Sequence, residues 1–477
     1  MMASEVTKLK IALPKGRLLA ETADLLRKAG WGLNGYTEGG RSYRLKSQNF
    51  PNLLAKMFHE RDIPIQVAVG NYDLGICGFD WVEELLVKYP SSALVKLRNL
   101  GYGEGVLYVV ASNSGTDPGI REIETSRDIV RLVSEYPNLA ESFALKNRLR
   151  RFSVFPLWGA AEAYPPESAE LALIAGRTGD QIFNHNLVPV SEVLEFNACL
   201  VVNKNSWERE DLSEVLASID NQLSCAEGKP SQVAEIKTER VPVCPTVQEI
   251  DEQAIRLALP DGHQQKHAVE LFTRAGIRFD DYPSSTGNRR PSSSLDGVAI
   301  KVIRPQDMPA QVATGNFDLA ITGKDWLLEH LYQFPSSPVT ELLDLKFARV
   351  RIVVVVSNDL SVSDMQELKE LYAEKSVPIR VASEYINIAD KCARDNHLGR
   401  YRVIPTWGAT EAFLPEDADL LIENTETGRT IARHNLKIID TLFISTGCLV
   451  GNKESISNPV KEKKIGSIIE TLRVAVE

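Results

Sequence analysis

Long apolar runs are missing from this chain. Nowhere do 18 apolar residues stand uninterrupted, so no segment reads as a membrane-spanning helix. The opening Met1-Met2-Ala3-Ser4-Glu5 leads into a strand without the basic and then apolar pattern of an export signal, and the expectation is a cytoplasmic protein without a membrane partner. Positive charge is also scarce: 54 basic residues face 64 acidic ones, a formal charge of -10. A general nucleic-acid binder must gain by neutralising many phosphates, and this balance excludes that role. Any anionic ligand has to be held by local positive charge. Cysteine is sparse and unpatterned. Cys77, Cys199, Cys225, Cys244, Cys392 and Cys448 form no CxxC pair, so they read as buried reduced thiols rather than metal ligands or bridges.

What is present is repetition. Gly70-Asn71-Tyr72-Asp73-Leu74 returns as Gly315-Asn316-Phe317-Asp318-Leu319, and Trp158-Gly159-Ala160-Ala161-Glu162 returns as Trp407-Gly408-Ala409-Thr410-Glu411. Cys199 to Lys204 returns as Cys448 to Lys453. The chain is a tandem duplication, and 477 residues leave room for two copies of a two-domain unit. We expect a first copy over 1–223, a linker over 224–253 and a second copy over 254–477. The lobes of the first fall at about 1–105 with 190–223, and 106–189. Those of the second fall at about 254–350 with 439–477, and 351–438.

Within the first copy the apolar run from Leu9 to Leu13 reads as a strand, and Leu18, Leu19, Ala23, Leu25, Leu26 and Ala29 as the apolar face of a helix stopped by Gly30. Strands near 53–58, 74–77 and 106–111 alternate with helices. That order predicts α/β lobes with mostly parallel sheets. The segment 283–296, with three consecutive serines and the pair Arg289-Arg290, reads as a mobile surface loop.

Two motifs carry chemistry. Leu13-Pro14-Lys15-Gly16-Arg17-Leu18 lies where a strand ends and a helix begins. Helix amides, a glycine permitting close approach and two cations make a phosphate site there; the plainer alternative is a helix start whose basic residues face water. The segment Asp419-Leu420-Leu421-Ile422-Glu423-Asn424-Thr425-Glu426-Thr427-Gly428-Arg429-Thr430 is a strand entering a hydroxyl-rich turn. Thr427 to Thr430 could wrap a 5-phosphate, with Glu423 and Glu426 on ribose hydroxyls or magnesium; the alternative is a threonine cap with solvated acids.

These motifs, with Arg304-Pro305-Gln306-Asp307-Met308-Pro309 and the run Gly315 to Asp325, resemble ATP phosphoribosyltransferase in its short form, over each copy almost end to end. The resemblance implies two type II periplasmic-binding-protein-like units. It implies condensation of ATP N1 with phosphoribosyl pyrophosphate, the first step of histidine biosynthesis, with Mg2+ as cofactor and no side-chain nucleophile. It further implies a pseudo-dimer within the chain, open to further oligomerisation, and a histidyl-tRNA-synthetase-like regulatory subunit as candidate partner. A small C-terminal histidine-binding domain belongs to long forms, and only a helix near 465–476 follows here.

Each copy has lost what the other kept. In the first, the turn reads Ile174-Ala175-Gly176-Arg177-Thr178-Gly179-Asp180-Gln181, and His59 stands for Arg304; in the second, Pro260-Asp261-Gly262-His263 replaces Pro14-Lys15-Gly16-Arg17. The expectation is one composite site per chain. It takes Lys15, Gly16, Arg17 and Arg41 for ATP and pyrophosphate. Arg304, Glu423, Glu426, Thr427, Gly428, Arg429 and Thr430 would bind phosphoribosyl pyrophosphate, and magnesium would ride on the phosphates with Glu423 and Glu426. His185 and His434 read as structural. The competing readings are a catalytically silent nucleotide-binding regulator and a solute-binding protein.

Overall fold

The computed structural model describes residues 9–40, 42–113, 123, 128–176, 186–226, 253–285, 287–373, 375 and 377–477. Apolar Leu9–Lys15 forms a central strand, flanked in parallel by Leu53–His59 and Leu74–Gly78. Ala198–Asn203 returns antiparallel between Leu74–Gly78 and Leu94–Asn99 and closes the first lobe. The helix Leu19–Lys28 buries Leu19, Thr22 and Leu26. It stops where expected, because Gly30 takes a φ of +76° and lets Trp31 N–H reach back to the Leu26 carbonyl at 3.0 Å. The second lobe is a five-stranded sheet in the order Leu187–Phe196, Gly105–Ser112, Leu171–Gly176, Val130–Ser134, Phe152–Pro156.

The second copy repeats this plan. Its first sheet runs Val298–Ile303, Ile255–Pro260, Leu319–Gly323, Gly447–Asn452, Val339–Asp344, and its second runs Tyr401–Pro405, Ile379–Ser383, Leu420–Thr425, Val350–Ser357, Leu436–Ser445. Parallel strands occupy the sheet centres, and antiparallel return strands make each of these four lobe sheets mixed. Each copy is therefore a two-lobed α/β unit. Cys77, Cys199, Cys392 and Cys448 are buried and unbridged. Among the described residues no helix is long and apolar enough to cross a membrane. Residues 227–252 of the expected linker lie outside the described residues.

The two copies pack crosswise. One apolar core joins Phe58, Ile63, Val67 and Tyr72 of the first copy to Ala412, Phe413, Leu414 and Leu421 of the second. Its mirror joins Ile303, Met308, Val312 and Phe317 to Leu157, Ala161, Ala163 and Tyr164. Thus the first lobe of each copy rests on the second lobe of the other. A buried lysine marks each junction: Lys56, 1% exposed, reaches Asp417 at 2.8 Å and Glu416 at 3.0 Å, and Lys301 reaches Glu167 at 2.6 Å.

The expectation for 283–296 as a mobile surface loop is corrected here. Arg289 pairs with Glu162 at 2.9 Å, and Arg290 pairs with Glu167 at 3.1 Å while donating to the carbonyls of Ala163 and Pro165. Serine and arginine do not distinguish a free loop from a strap held by another copy's acids and carbonyls.

Phe58 and Phe413 meet edge to face at 5.2 Å and are both fully buried. Phe413→Ala should lower the unfolding free energy by about 3–5 kcal/mol, read from urea melts. A loss under about 1 kcal/mol would mean that the shared core does not hold the copies together.

Candidate functional site

On the first copy's side, Lys15 ends its strand and Gly16 turns the chain at a φ of +103°. The Lys15 ammonium is exposed, donates to the Tyr43 hydroxyl at 3.1 Å and lies 4.9 Å from the Tyr43 ring centre. The Tyr43 ring in turn stacks on His434 of the second copy, 4.7 Å away and inclined by 23°. Among the described residues Lys15 makes no ion pair. Arg17, expected to be a second ligand cation, is committed elsewhere: its guanidinium binds Glu60 and Asp80, each at 2.8 Å. Burial works against its charge, but Asp80 and then Glu60 more than compensate and hold the charged form. These pairs tie it to its own lobe.

On the second copy's side, Leu420–Thr425 runs into the turn and then the short helix Arg429–Arg433. Gly428 adopts a φ of +75°, which an L side chain resists. Its amide donates to the Thr425 hydroxyl at 2.9 Å, while Glu426, Thr427, Arg429 and Thr430 remain exposed. His434 N–H donates to the Thr430 carbonyl at 3.2 Å, so the path from Lys15 through Tyr43 and His434 ends in this turn. Burial lowers the His434 pKa, so the ring stacks on Tyr43 in its neutral form.

Behind the turn stand three carboxylates of the second copy. Burial, then Glu384 and Glu411, raise the Glu423 pKa well above the usual range; burial, then Glu411 and Asp325, raise that of Glu384 to about 7. Mutual repulsion in a poorly hydrated place favours a shared proton, a bound cation or donors from a sugar. Arg351 sits across the sheet from Thr425, with its guanidinium beside Gly428. In the first copy the same register holds Val106 opposite Gly176. Sequence reading missed Arg351 because its strand is otherwise apolar, and missed Tyr43 because a lone tyrosine carries no motif. Contrasting the copies residue by residue would have flagged Arg351 against Val106.

The opposite junction differs in charge rather than shape. Asp261, at the place of Lys15, accepts from Arg289 at 2.9 Å and from Arg304 at 3.1 Å. Those cations are neutralised from within. Arg304, expected beside the Glu423 to Thr430 turn, has its described contacts here, against Asp261 and the backbone of Gly159. Lys15 is thus connected through Tyr43 and His434 to Thr430, while Arg17 and Arg304 are engaged elsewhere. His263 is exposed at its helix start. Arg41, and residues 177–185 with Thr178 and His185, lie outside the described residues.

Comparisons of the sequence with known proteins point to one family. A family model described as ATP phosphoribosyltransferase, HisG, matches residues 59–222 and 304–474. The ATP phosphoribosyltransferase of Prosthecochloris aestuarii is 31% identical over 229 residues, covering 47% of this chain and 72% of that protein. That of Chlorobaculum parvum is 33% identical over 227 residues, covering 46% and 71%. Among solved structures, the ATP phosphoribosyl transferase (HisG:HisZ) complex from Thermotoga maritima aligns with a TM-score of 0.38 at 22% identity, over 46% of this chain and 98% of that one.

The carboxylate cluster has a measurable signature. Glu384 keeps its proton in the folded state up to about pH 7, whereas an unfolded glutamate releases it near pH 4.3. The native state thus binds the extra proton between these values, and this group's contribution to stability falls as pH rises from about 4.5 through 7. Relative to the parent, Glu384→Gln should gain about 1–3 kcal/mol between pH 5 and pH 7.5, measured by chemical denaturation. Parallel pH curves for parent and variant would show that Glu384 does not titrate in this window.

Proposed function

We propose, since this chain belongs to the ATP phosphoribosyltransferase family, that it condenses ATP with phosphoribosyl pyrophosphate at one composite site per chain. The observation that carries this reading is the contrast between the two junctions. Among the described residues Lys15 makes no ion pair and is connected through Tyr43 and His434 to the threonine turn, whereas its counterpart Asp261 is locked between Arg289 and Arg304.

The chemistry needs alignment and charge stabilisation more than a reactive side chain. The lone pair of adenine N1 forms a bond to ribose C1 as the C1–O bond to pyrophosphate breaks, and pyrophosphate leaves with the bonding electrons. Positive charge develops on the ribose ring and negative charge on the leaving group. Thr427, Thr430 and the amides around Gly428 hold the 5-phosphate, with Arg351 beside them. Glu423 takes the ribose hydroxyls, and Lys15 and Gly16 meet the polyphosphate. Juxtaposition of the two substrates supplies much of the acceleration.

Magnesium fits this site as a companion of the substrates. Among the described residues no three side chains are arranged to hold a metal unaided. Glu423 and exposed Glu426 offer the hard oxygen donors that such a cation takes alongside phosphate oxygens. When bound, the ion would share the charge of the departing pyrophosphate. This reading places the chain in the cytoplasm at the first step of histidine biosynthesis.

The test is pyrophosphate release from ATP and phosphoribosyl pyrophosphate by the purified chain. Lys15→Ala should cut kcat/KM by about 100-fold or more, and Thr427→Ala combined with Thr430→Ala by at least as much. Both sets must fail for a composite site; full activity of Lys15→Ala would confine the site to the second copy. Nucleotide binding without turnover would favour the silent regulator, and turnover only on adding a histidyl-tRNA-synthetase-like subunit would establish that partner.

A further inference from the structure

The segment after the second strand of each first lobe reads His59-Glu60-Arg61-Asp62 in one copy and Arg304-Pro305-Gln306-Asp307 in the other. The arginine stands two positions later in the first copy than in the second. Asp307 accepts from Trp158 N–H at 3.1 Å, and its counterpart Asp62 is fully buried at the equivalent junction. Arg304 lies against the backbone of Gly159, beside Trp158. Arg61 lies over the Trp407 ring, 4.2 Å from its centre, and Trp407 is the counterpart of Trp158. Each guanidinium therefore arrives at the same tryptophan turn of the other copy.

Their electrostatic states differ. Arg304 is paired with Asp261. The Arg61 guanidinium, among the described residues, makes no ion pair or hydrogen bond and is sandwiched between Trp81 at 5.2 Å and Trp407. Glu84, Glu135, Asp62 and Tyr136 act on it through space. Glu84 is already taken by the amides of Asn138 and Leu139, and the Tyr136 hydroxyl donates to Asp80. Burial, then Glu162, raise the Glu135 pKa to about 7, so it is a weak counter-ion at neutral pH. A largely buried guanidinium without a direct partner is costly unless something supplies acceptors. The aromatic sandwich offsets part of that cost and leaves the edge donors of the fork unused.

The residue now at position 59 does not supply the missing charge. Burial, followed by Arg61, Lys15 and Arg17, lowers the His59 pKa to about 4, so the ring is neutral. Lys15 and His59 are register partners at the ends of adjacent parallel strands, so Arg61, two residues beyond His59, leaves the same end of the sheet as Lys15.

We propose that Arg61 is the pyrophosphate-binding guanidinium of the composite site, replacing at a shifted position the arginine absent from position 59. This deepens the composite-site reading and rests on it. The ligand is the pyrophosphate group of a phosphorylated sugar, held by the planar fork while Lys15 adds a point charge. Trp407, from the other copy, orients the fork. The junction carrying Arg304 lacks this capacity because Asp261 already occupies its cations.

The test uses the full chain with inorganic pyrophosphate and with phosphoribosyl pyrophosphate, each with magnesium, by isothermal titration and by steady-state kinetics. Arg61→Gln installs the residue of the second copy. It should weaken pyrophosphate binding and raise KM for phosphoribosyl pyrophosphate by about 30-fold or more, with a melting temperature near that of the parent. His59→Arg combined with Arg61→Gln should recover affinity to within about fivefold of the parent, a rescue that a merely structural Arg61 would not permit. Folded Arg61→Gln with unchanged affinity would overturn the assignment and leave the composite site standing. A parent that binds no phosphoribosyl pyrophosphate would take down both. Should Arg61→Gln fail to fold, Arg61→Lys decides: a loss of about tenfold or more supports the fork, and unchanged affinity overturns it.

Discussion

The crosswise packing of the two copies is the constraint on which the rest depends. Each first lobe buries an apolar face and one lysine against the second lobe of the other copy. Lys56 finds Glu416 and Asp417 there, and the Tyr72 hydroxyl donates to Asp417 at 3.0 Å. Burial lowers the Lys301 pKa to about 8 while Glu167 opposes that shift, so this ammonium keeps its charge through its partner. A buried ammonium stripped of its carboxylate is strongly unfavourable. The paired acids therefore specify which lobe meets which.

That packing turns a duplicated chain into two unequal junctions. One carries Lys15 and Tyr43 against His434, and Arg61 against Trp407; the other carries Asp261, Arg289 and Arg304 against Glu162 and Gly159. The central sheets of the two sides share one strand order. Their chemistry is set by a few charges. Asp261 supplies from within the anion that a ligand would otherwise bring, so the second junction is satisfied without one. At the first, nothing described neutralises Lys15, and the acids behind the turn remain crowded.

Much of this was legible in the chain because it is local. The apolar run beginning at Leu9 became a central strand, Gly30 ended its helix through a left-handed turn, and Thr427 and Gly428 lie in the turn between strand and helix, with Arg429 and Thr430 opening that helix. Side chains whose partners are distant in sequence were not legible. Arg17 has the motif position of a ligand cation, yet Glu60 and Asp80 come close enough to claim it only after the sheet forms. Arg289 and Arg290 looked like a polar loop because the acids that bind them belong to the other copy.

The sequence by itself determined the duplication, the α/β order, the hydroxyl-rich turn and the loss of matching residues in each copy, since these are properties of residue type and spacing. Only the tertiary structure decided which cation faces which turn. Lys15 meets His434 through Tyr43, and Arg304 meets Gly159, because crosswise packing pairs surfaces hundreds of residues apart. Whether a charge is free or spent depends on its neighbours in space, and chain position does not carry that information.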